Sequence, residues 1–303
     1  MHKLYYFGLL LVAVSAIAAP LEAIDESSEL EAFSSMDRGV TFLLREQAED
    51  GSWSGSVAVT ARCLMALVAA AEQRPEKTIE RAVLYLERHT RLGGPVGTTD
   101  DTALAARALA ITGSETKYNP VVVDVRNLRS IYAYLDAGFF GQPHWLDGEQ
   151  LITLEMLEAF QINNLDEKGH GGFAAEVDGV VTSELTSLGI QSSIYAGADR
   201  TDVGIALALA WLKNNPGFRE NPGAGQACKF SCLYAYATAR MMSERLYNDL
   251  RNQDKDSWRK SLIHALLECQ GAGAWRNKDG SCGEEDANLA TALSLLAMAA
   301  ALN

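Results

Sequence analysis

The sequence has few of the residues that mark several large classes of protein. Its 303 residues include 26 Lys and Arg against 39 Asp and Glu, for a net charge of −13. A basic surface that follows nucleic-acid phosphates is therefore not expected, and we predict no nucleic-acid partner. With 8% aromatic residues, 25 Gly and only 7 Pro, the composition excludes fibrous and low-complexity proteins. The apolar fraction of 48% is sufficient for a large buried core.

A long apolar run lies close to the N-terminus. It covers residues 5–19, follows the basic Lys3 and ends in small residues, which is the pattern of a secretory signal peptide. The run is shorter than the roughly 20 residues of a membrane span. We predict a signal peptide over 1–18, a linker over 19–35 and one domain over 36–303, in a secreted or periplasmic protein without a membrane span after signal removal. An uncleaved membrane anchor is the alternative.

Five cysteines cannot all pair with one another, so at least one thiol of an exported chain is free or bonded to another molecule. Cys63 and Cys232 lie in Ala-rich helical segments, where cysteine is usually a small buried hydrophobe, and we predict that both stay reduced. Cys269 and Cys282 flank a Gly-rich loop, and Cys228 opens another helix. The sequence therefore predicts a disulfide from Cys282 to either Cys228 or Cys269.

One unit repeats along the chain: a charged amphipathic helix, a polar Gly-rich loop and an Ala-rich helix. The charged helices are predicted near 36–48, 76–91, 148–161, 200–214 and 255–269. Three of the Ala-rich helices carry a threonine at a matching position, namely Thr60, Thr102 and Thr291. The charged helices present one face to water, whereas the Ala-rich helices lack a charged face and have to be surrounded.

Helical hairpins of this kind bury their apolar faces most simply by closing into a ring. We therefore predict an all-α fold, an α/α toroid of five to six hairpins with the charged helices outside and the Ala-rich helices inside. Residues 121–147 contain a further helix near 124–137 but no recognisable inner helix. The sixth hairpin is accordingly predicted to be degraded.

The segment Arg38–Leu43, followed by Gln47 and Gly51-Ser52-Trp53, resembles the QW motif of terpenoid cyclases and their relatives. A looser copy lies at Leu266–Gln270, with Trp275 after it. Two further loops, Gly172-Phe173 and Gly217-Phe218, resemble the Gly-Phe loops of protein prenyltransferase β subunits. The resemblance covers residues 36–302 and implies a toroid of the prenyltransferase and squalene-cyclase type. Because such loops tie helix ends together, they imply a fold and not an activity.

Seven aromatic residues are predicted to contact a ligand at the central opening of the ring. Four lie in loops on the face where the inner helices begin, and three lie in inner helices that otherwise offer mainly Ala, Thr and Leu. They are Trp53, Phe173, Phe218 and Trp275 in the loops, and Tyr195, Tyr234 and Tyr236 in the helices. So few aromatic faces make a poor lining for carbocation chemistry.

The segment Thr98–Ala103 resembles the DxDDTA acid motif of class II terpenoid cyclases. In that family the residue that matches Asp100 protonates an alkene or epoxide, which demands a strong carboxylic acid in a dry cavity. Thr98 replaces the first Asp of the motif. The alternative is that Asp100 or Asp101 caps the N-terminus of the inner helix that follows.

Two other resemblances lack required residues. Cys228 lies where a protein prenyltransferase has a zinc ligand, but Gln226 replaces the aspartate and the helix from Asp286 to Ala301 contains no His, so we predict no metal and no cofactor. The segment Cys282–Glu285 resembles a complement-type thioester, but Glu285 stands where the reactive glutamine is required.

The leading hypothesis is an exported, non-catalytic toroid that binds an apolar small molecule or an unknown partner protein at its central opening. One alternative is an enzyme similar to class II terpenoid cyclases, with Asp100 as the general acid and Asp101 beside it as the second catalytic candidate. Another is an α/α-toroid polysaccharide lyase, which would need a Tyr or His base beside an Asn or Arg.

Overall fold

The computed structural model describes residues 26–90, 99–114, 123–140, 151–163, 169–247, 258–279 and 281–303. The predicted signal peptide lies outside the described residues, as does the first part of the predicted linker. Residues 26–35 of that linker belong to the first helix. Buried Ala32, Met36, Val40 and Leu43 share one face of this helix, because apolar residues at a spacing of three or four form a single stripe.

The described residues form eleven α-helices and no β-strand beyond isolated bridges, which confirms the all-α prediction. The helices are α1 (Glu26–Glu46), α2 (Val57–Ala70), α3 (Glu76–Thr90), α4 (Thr99–Ile111), α5 (Leu128–Phe140), α6 (Leu154–Glu158), α7 (Ser183–Tyr195), α8 (Val203–Asn214), α9 (Lys229–Leu246), α10 (Trp258–Cys269) and α11 (Ala287–Leu302). Among the described residues, no helix has both the length and the apolar composition that a membrane crossing requires.

Six of the helices contact one another in a closed cycle. In chain order, α2 contacts α4, which contacts α5, then α7, α9 and α11, and α11 returns to α2. The cycle closes through the side chain of Asn288, which donates a hydrogen bond to Ser54 across 234 positions of sequence (Nδ2 to Oγ, 3.0 Å). The other helices lie against this inner set: α1 on α2 and α11, α3 on α2 and α4, α6 and α8 on α7, and α10 on α9 and α11.

Burial separates the two sets of helices as the sequence predicts. Every residue of α11 from 290 to 301 is buried, and so is every residue of α7 from 183 to 193. In α3 only one stripe is buried, formed by Ile79, Ala82, Tyr85, Leu86 and Thr90. Each fully buried leucine or isoleucine contributes about 1.5–3 kcal/mol, so an outer helix is held mainly by this stripe.

The structure corrects the prediction for the sixth unit. Helix α5 contacts both α4 and α7 and therefore occupies an inner position, where only a degraded hairpin was predicted. The sequence did not indicate an inner helix here, because Tyr132 and Asp136 interrupt the Ala-rich pattern that identifies the other inner helices. Helix α6 is also much shorter than the predicted 148–161, with Thr153 accepting the Met156 amide at its start.

An aromatic residue fixes each of three loops to the inner helix that follows. The backbone N–H of Trp53 donates to Thr60 Oγ1 (3.0 Å), that of Phe173 to Thr186 Oγ1 (3.0 Å) and that of Trp275 to Thr291 Oγ1 (3.1 Å). The two indoles also donate to carbonyls in the last turns of α1 and α10, at 2.8 and 2.7 Å. These carbonyls lack intrahelical partners. Each indole therefore gives a carbonyl of the outer helix a hydrogen bond, while the backbone of the same tryptophan is bonded to the inner helix.

A glutamine from the same loops reaches the next outer helix. Its side-chain amide donates to a backbone carbonyl at 2.8–2.9 Å: Gln47 to Thr78, Gln161 to Gly204 and Gln270 to Ser35. The last of these bonds joins the C-terminal hairpin to α1. Neighbouring hairpins are therefore tied by hydrogen bonds as well as by apolar packing.

Two ties hold the loop before α11 against the start of α9. Cys282 forms a disulfide with Cys228, with Cα atoms 5.3 Å apart, which decides between the two predicted partners and leaves no thiol for a thioester. A crosslink across 54 residues contributes about 4 kcal/mol in a chain-entropy treatment. Beside it, the buried carboxylate of Glu284 accepts the backbone N–H groups of Phe230 and Ser231 at 3.1 and 2.7 Å. The other three cysteines are free thiols, as predicted for Cys63 and Cys232.

We expect Gln270→Ala to lower the free energy of unfolding by about 1–3 kcal/mol, because it removes the two hydrogen bonds between Gln270 and the buried Ser35. Urea unfolding followed by circular dichroism measures this. The matched control is Gln226→Ala, since the exposed Gln226 makes only a 3.5 Å side-chain contact; it should cost less than about 0.5 kcal/mol. Equal losses in the two variants would show that Gln270 does not join the hairpins.

Candidate functional site

Six polar or aromatic side chains from five inner helices meet near the middle of the helix cycle. We call them the central cluster. Its members are Arg62 from α2, Arg107 from α4, Tyr132 and Asp136 from α5, Tyr195 from α7 and Tyr234 from α9. Charged and phenolic groups are costly to bury without partners, so a cluster of them drawn from five helices is a candidate site.

Asp136 accepts most of the hydrogen bonds within the cluster. Its carboxylate accepts Arg107 Nη1 at 2.9 and 3.1 Å through its two oxygens. Tyr195 donates its hydroxyl to Oδ1 at 3.0 Å, and Tyr132 reaches the same oxygen at 3.5 Å. The Asp136 side chain is only 5% exposed. The ion pair and the two phenols together compensate the cost of burying this charge.

The cluster includes interactions between helices that are not neighbours in the cycle. The Arg62 guanidinium lies 5.5 Å from the ring centroid of Tyr234, a cation–π distance. The helices that carry these residues, α2 and α9, are separated in the cycle by α11. Arg107 interacts electrostatically with Tyr234 as well, although α4 and α9 are not neighbours. These interactions join side chains from helices that are not neighbours in the cycle.

The two phenols beside Asp136 are held in the neutral form. Burial raises the pKa of Tyr195 well above its usual value, and the nearby Asp136 charge raises it further. The pKa of Tyr132 is raised for the same two reasons. Both groups therefore remain protonated at physiological pH and act as hydrogen-bond donors, not as bases.

One edge of the cluster reaches the surface. Phe139, near the C-terminus of α5, is 59% exposed, and its ring lies 4.8 Å from that of Tyr195. Tyr195 is half-buried and lies 6.3 Å from Tyr132. These aromatic faces form an apolar wall beside the polar groups. The accessible edge is thus at the C-terminal ends of α5 and α7, whereas the sequence predicted an opening where inner helices begin.

The structure separates the seven aromatic residues predicted to contact a ligand. Tyr195 and Tyr234 belong to the central cluster. Trp53, Phe173 and Trp275 are 0%, 2% and 0% exposed, because they fill the junctions between loops and helices, and they offer no surface to a ligand. Tyr236 is buried as well, with its ring 5.2 Å from Phe218 and 5.9 Å from Trp258, in a separate aromatic group.

The predicted acid pair lies within a helix. Because α4 begins at Thr99, Asp100 and Asp101 occupy its first turn and neither stands at the N-cap position. The side chain of Asp100 lies outside the described residues, and that of Asp101 is half-buried. Two other predicted helix starts do have aspartate caps: Asp202 accepts the Ile205 amide and Asp286 the Asn288 amide, each at 2.8 Å.

Four cluster residues were missed by the sequence reasoning: Arg62, Arg107, Tyr132 and Asp136. The available signal was a single arginine in an Ala-rich helix, in Thr60-Ala61-Arg62 and again in Ala105-Ala106-Arg107. An isolated charge on a helix that is otherwise surrounded needs a buried partner. For Arg107 that partner is Asp136. Asp136 lies in α5, which the sequence analysis did not recognise as an inner helix.

Comparison with known proteins adds no family or relative: no family model matches the chain, and no curated protein matches its sequence. Within the described ranges, no three His, Cys, Asp or Glu side chains come close enough together to hold a metal ion. The site is therefore interpreted from its own geometry.

A surface groove of about 720 Å³ lies apart from the central cluster, between Arg126 just before α5, Met156 and Glu176. Its ionic groups are solvated, since Arg126 and Asp124 pair with each other at 3.0 Å while 87% and 48% exposed. Exposed pairs of this kind contribute little to recognition or stability. The buried, hydrogen-bonded cluster is the stronger candidate.

We expect Asp136→Asn to destabilise the protein by about 3–5 kcal/mol, because it leaves the Arg107 charge buried without a counter-ion. Replacing both residues, with Arg107→Met and Asp136→Leu together, should cost much less than the two single changes added. A double-mutant cycle in urea measures the coupling. Asp124→Asn, at an exposed pair, is the control. Additive losses would show that the buried pair is not formed.

Tyr195→Phe should cost about 1.5–3 kcal/mol at pH 7.5, because it removes a hydrogen bond to a charged carboxylate. The raised pKa of Tyr195 means that the folded protein keeps a proton that the unfolded chain loses above pH 10, so this contribution falls as the pH rises past 10. Urea unfolding at pH 8 and pH 11 should show the gap between wild type and variant narrowing. A gap independent of pH would contradict the predicted shift.

Proposed function

We propose that the six inner helices and their outer partners form an α/α toroid. The closed cycle of contacts supports this arrangement, and so do the long buried stretches of α7 and α11 and the three aromatic loops that tie one hairpin to the next. The fold is the one that the QW-like segment implies. The disulfide between Cys228 and Cys282 is consistent with an exported protein, since stable disulfides belong mainly to oxidising compartments.

The function that we propose is binding of a small molecule at the central cluster, without catalysis. The observation that carries this proposal is the hydrogen-bonded group of Arg107, Asp136 and Tyr195 beneath an aromatic wall. Binding sites combine an apolar lining with a few fixed polar groups. The sequence alone favoured an apolar ligand, but these groups favour an amphipathic molecule. A protein segment inserted from the exposed Phe139 edge is the alternative occupant.

The chemistry of the cluster disfavours both enzymatic alternatives. Apart from the ion-paired Asp136, its described members are guanidiniums and phenols, which are too weakly acidic to protonate an alkene. The raised pKa values of Tyr132 and Tyr195 also make these phenols poor general bases, as a polysaccharide lyase would need. The cyclase-like reaction therefore depends on Asp100 alone.

Native mass spectrometry of the protein purified from its own host, followed by solvent extraction, tests the binding function. We expect one small molecule per chain in the wild type and none in the double variant Arg107→Met with Asp136→Leu, which keeps the interior filled. Asp100→Asn should retain the molecule. An empty wild type would contradict small-molecule binding. A bound isoprenoid that Asp100→Asn no longer converts would support the cyclase-like enzyme instead.

A further inference from the structure

Arg62 differs from the other guanidinium of the central cluster. Arg107 is paired with Asp136 through two contacts, but no carboxylate among the described residues lies within ion-pair distance of Arg62. The guanidinium of Arg62 instead lies over the ring of Tyr234. Two guanidiniums against one carboxylate leave one positive charge in the cluster.

The contacts that the fold gives to the Arg62 guanidinium leave it able to bind a further anionic group. Arg62 is half-buried, and cation–π contact with one ring contributes only about 0.5–2 kcal/mol. On the surface of a protein with a net charge of −13, the same arginine would find carboxylates and water. Its position, facing Tyr234 on a helix that does not neighbour its own, directs the charge toward the central cluster.

The groups around Arg62 complete a site for an anion. Tyr132 lies close enough to interact electrostatically with Arg62, while its hydroxyl is directed at Asp136. Planar guanidinium groups bind carboxylates through two parallel hydrogen bonds. A single negative charge would neutralise the cluster, whereas a diphosphate would leave excess negative charge in a low-dielectric interior. The rings of Tyr132, Tyr195 and Phe139 offer stacking faces for an aromatic or other planar apolar body.

We propose that Arg62 binds the carboxylate of an organic monoanion whose apolar body packs against the aromatic wall of the central cluster. This inference deepens the proposed binding function and rests on it. Arg62 supplies the charge, Tyr132 and Tyr234 flank it, and the neutralised pair of Arg107 and Asp136 forms the opposite side of the site.

Isothermal titration calorimetry with a matched pair of probes, 2-naphthoate and 2-naphthylmethanol, tests the inference on the full chain at pH 7.5. The two probes share an aromatic body and differ in charge. We expect wild type to bind the naphthoate about tenfold more tightly than the alcohol, with affinity that decreases as salt rises. Arg62→Met should remove this preference, while Arg62→Lys should keep part of it. Arg88→Met, at an exposed position of α3, should leave it unchanged.

The outcomes separate the inference from the proposed function. Equal binding of both probes to wild type would overturn the role of Arg62 and leave small-molecule binding intact. Preference for the naphthoate that survives in Arg62→Met would also overturn it, because another group would then hold the charge. No binding of either probe would count against both proposals. Because the comparison within wild type needs no variant, the inference stays falsifiable if Arg62→Met fails to fold.

Discussion

The structure depends on one constraint: long stretches of its inner helices have no face that water can accept. Helices α7 and α11 are buried over eleven and twelve consecutive residues, so each must be covered on every side. Packing on two inner neighbours and on an outer helix meets this need, and the cycle from α2 to α11 leaves no inner helix at an open end. The loop hydrogen bonds of Trp53, Phe173 and Trp275 then fix the spacing between layers.

The central cluster is one of several buried charged groups, beside the Arg259–Glu244 and Arg129–Glu184 pairs, and its side chains come from five inner helices. Stability alone would be served as well by well-packed leucines, because replacing a buried ion pair with apolar residues is often neutral or favourable. Asp136 nevertheless accepts hydrogen bonds from a guanidinium and two phenols. Arg62 adds a positive charge that no carboxylate among the described residues pairs with. Polar groups held in fixed positions beside aromatic faces suit the recognition of a ligand with both kinds of surface.

The sequence predicted the helical class, the two kinds of helix and the aromatic loops, because these follow from local periodicity and from turn residues such as Gly51. At that position an added Cβ would collide with the backbone of Arg81. It did not predict α5 as an inner helix, since Tyr132 and Asp136 interrupt the Ala-rich pattern. It also could not distinguish Trp53, which fills a junction, from Tyr195, which lines the centre, because aromatic residues serve both uses. The pairing of buried charges depends on contacts between helices that are far apart in sequence, and local sequence patterns do not predict such contacts.

The closure of the ring can be measured directly by crosslinking Ser54→Cys to Asn288→Cys with a short bifunctional thiol reagent, followed by peptide mass spectrometry. The two side chains touch at 3.0 Å although 234 positions separate them. The account predicts an efficient crosslink within one chain, independent of protein concentration. Failure to crosslink, or a crosslink only between chains, would mean that α11 does not return to α2, and the enclosed site would not exist.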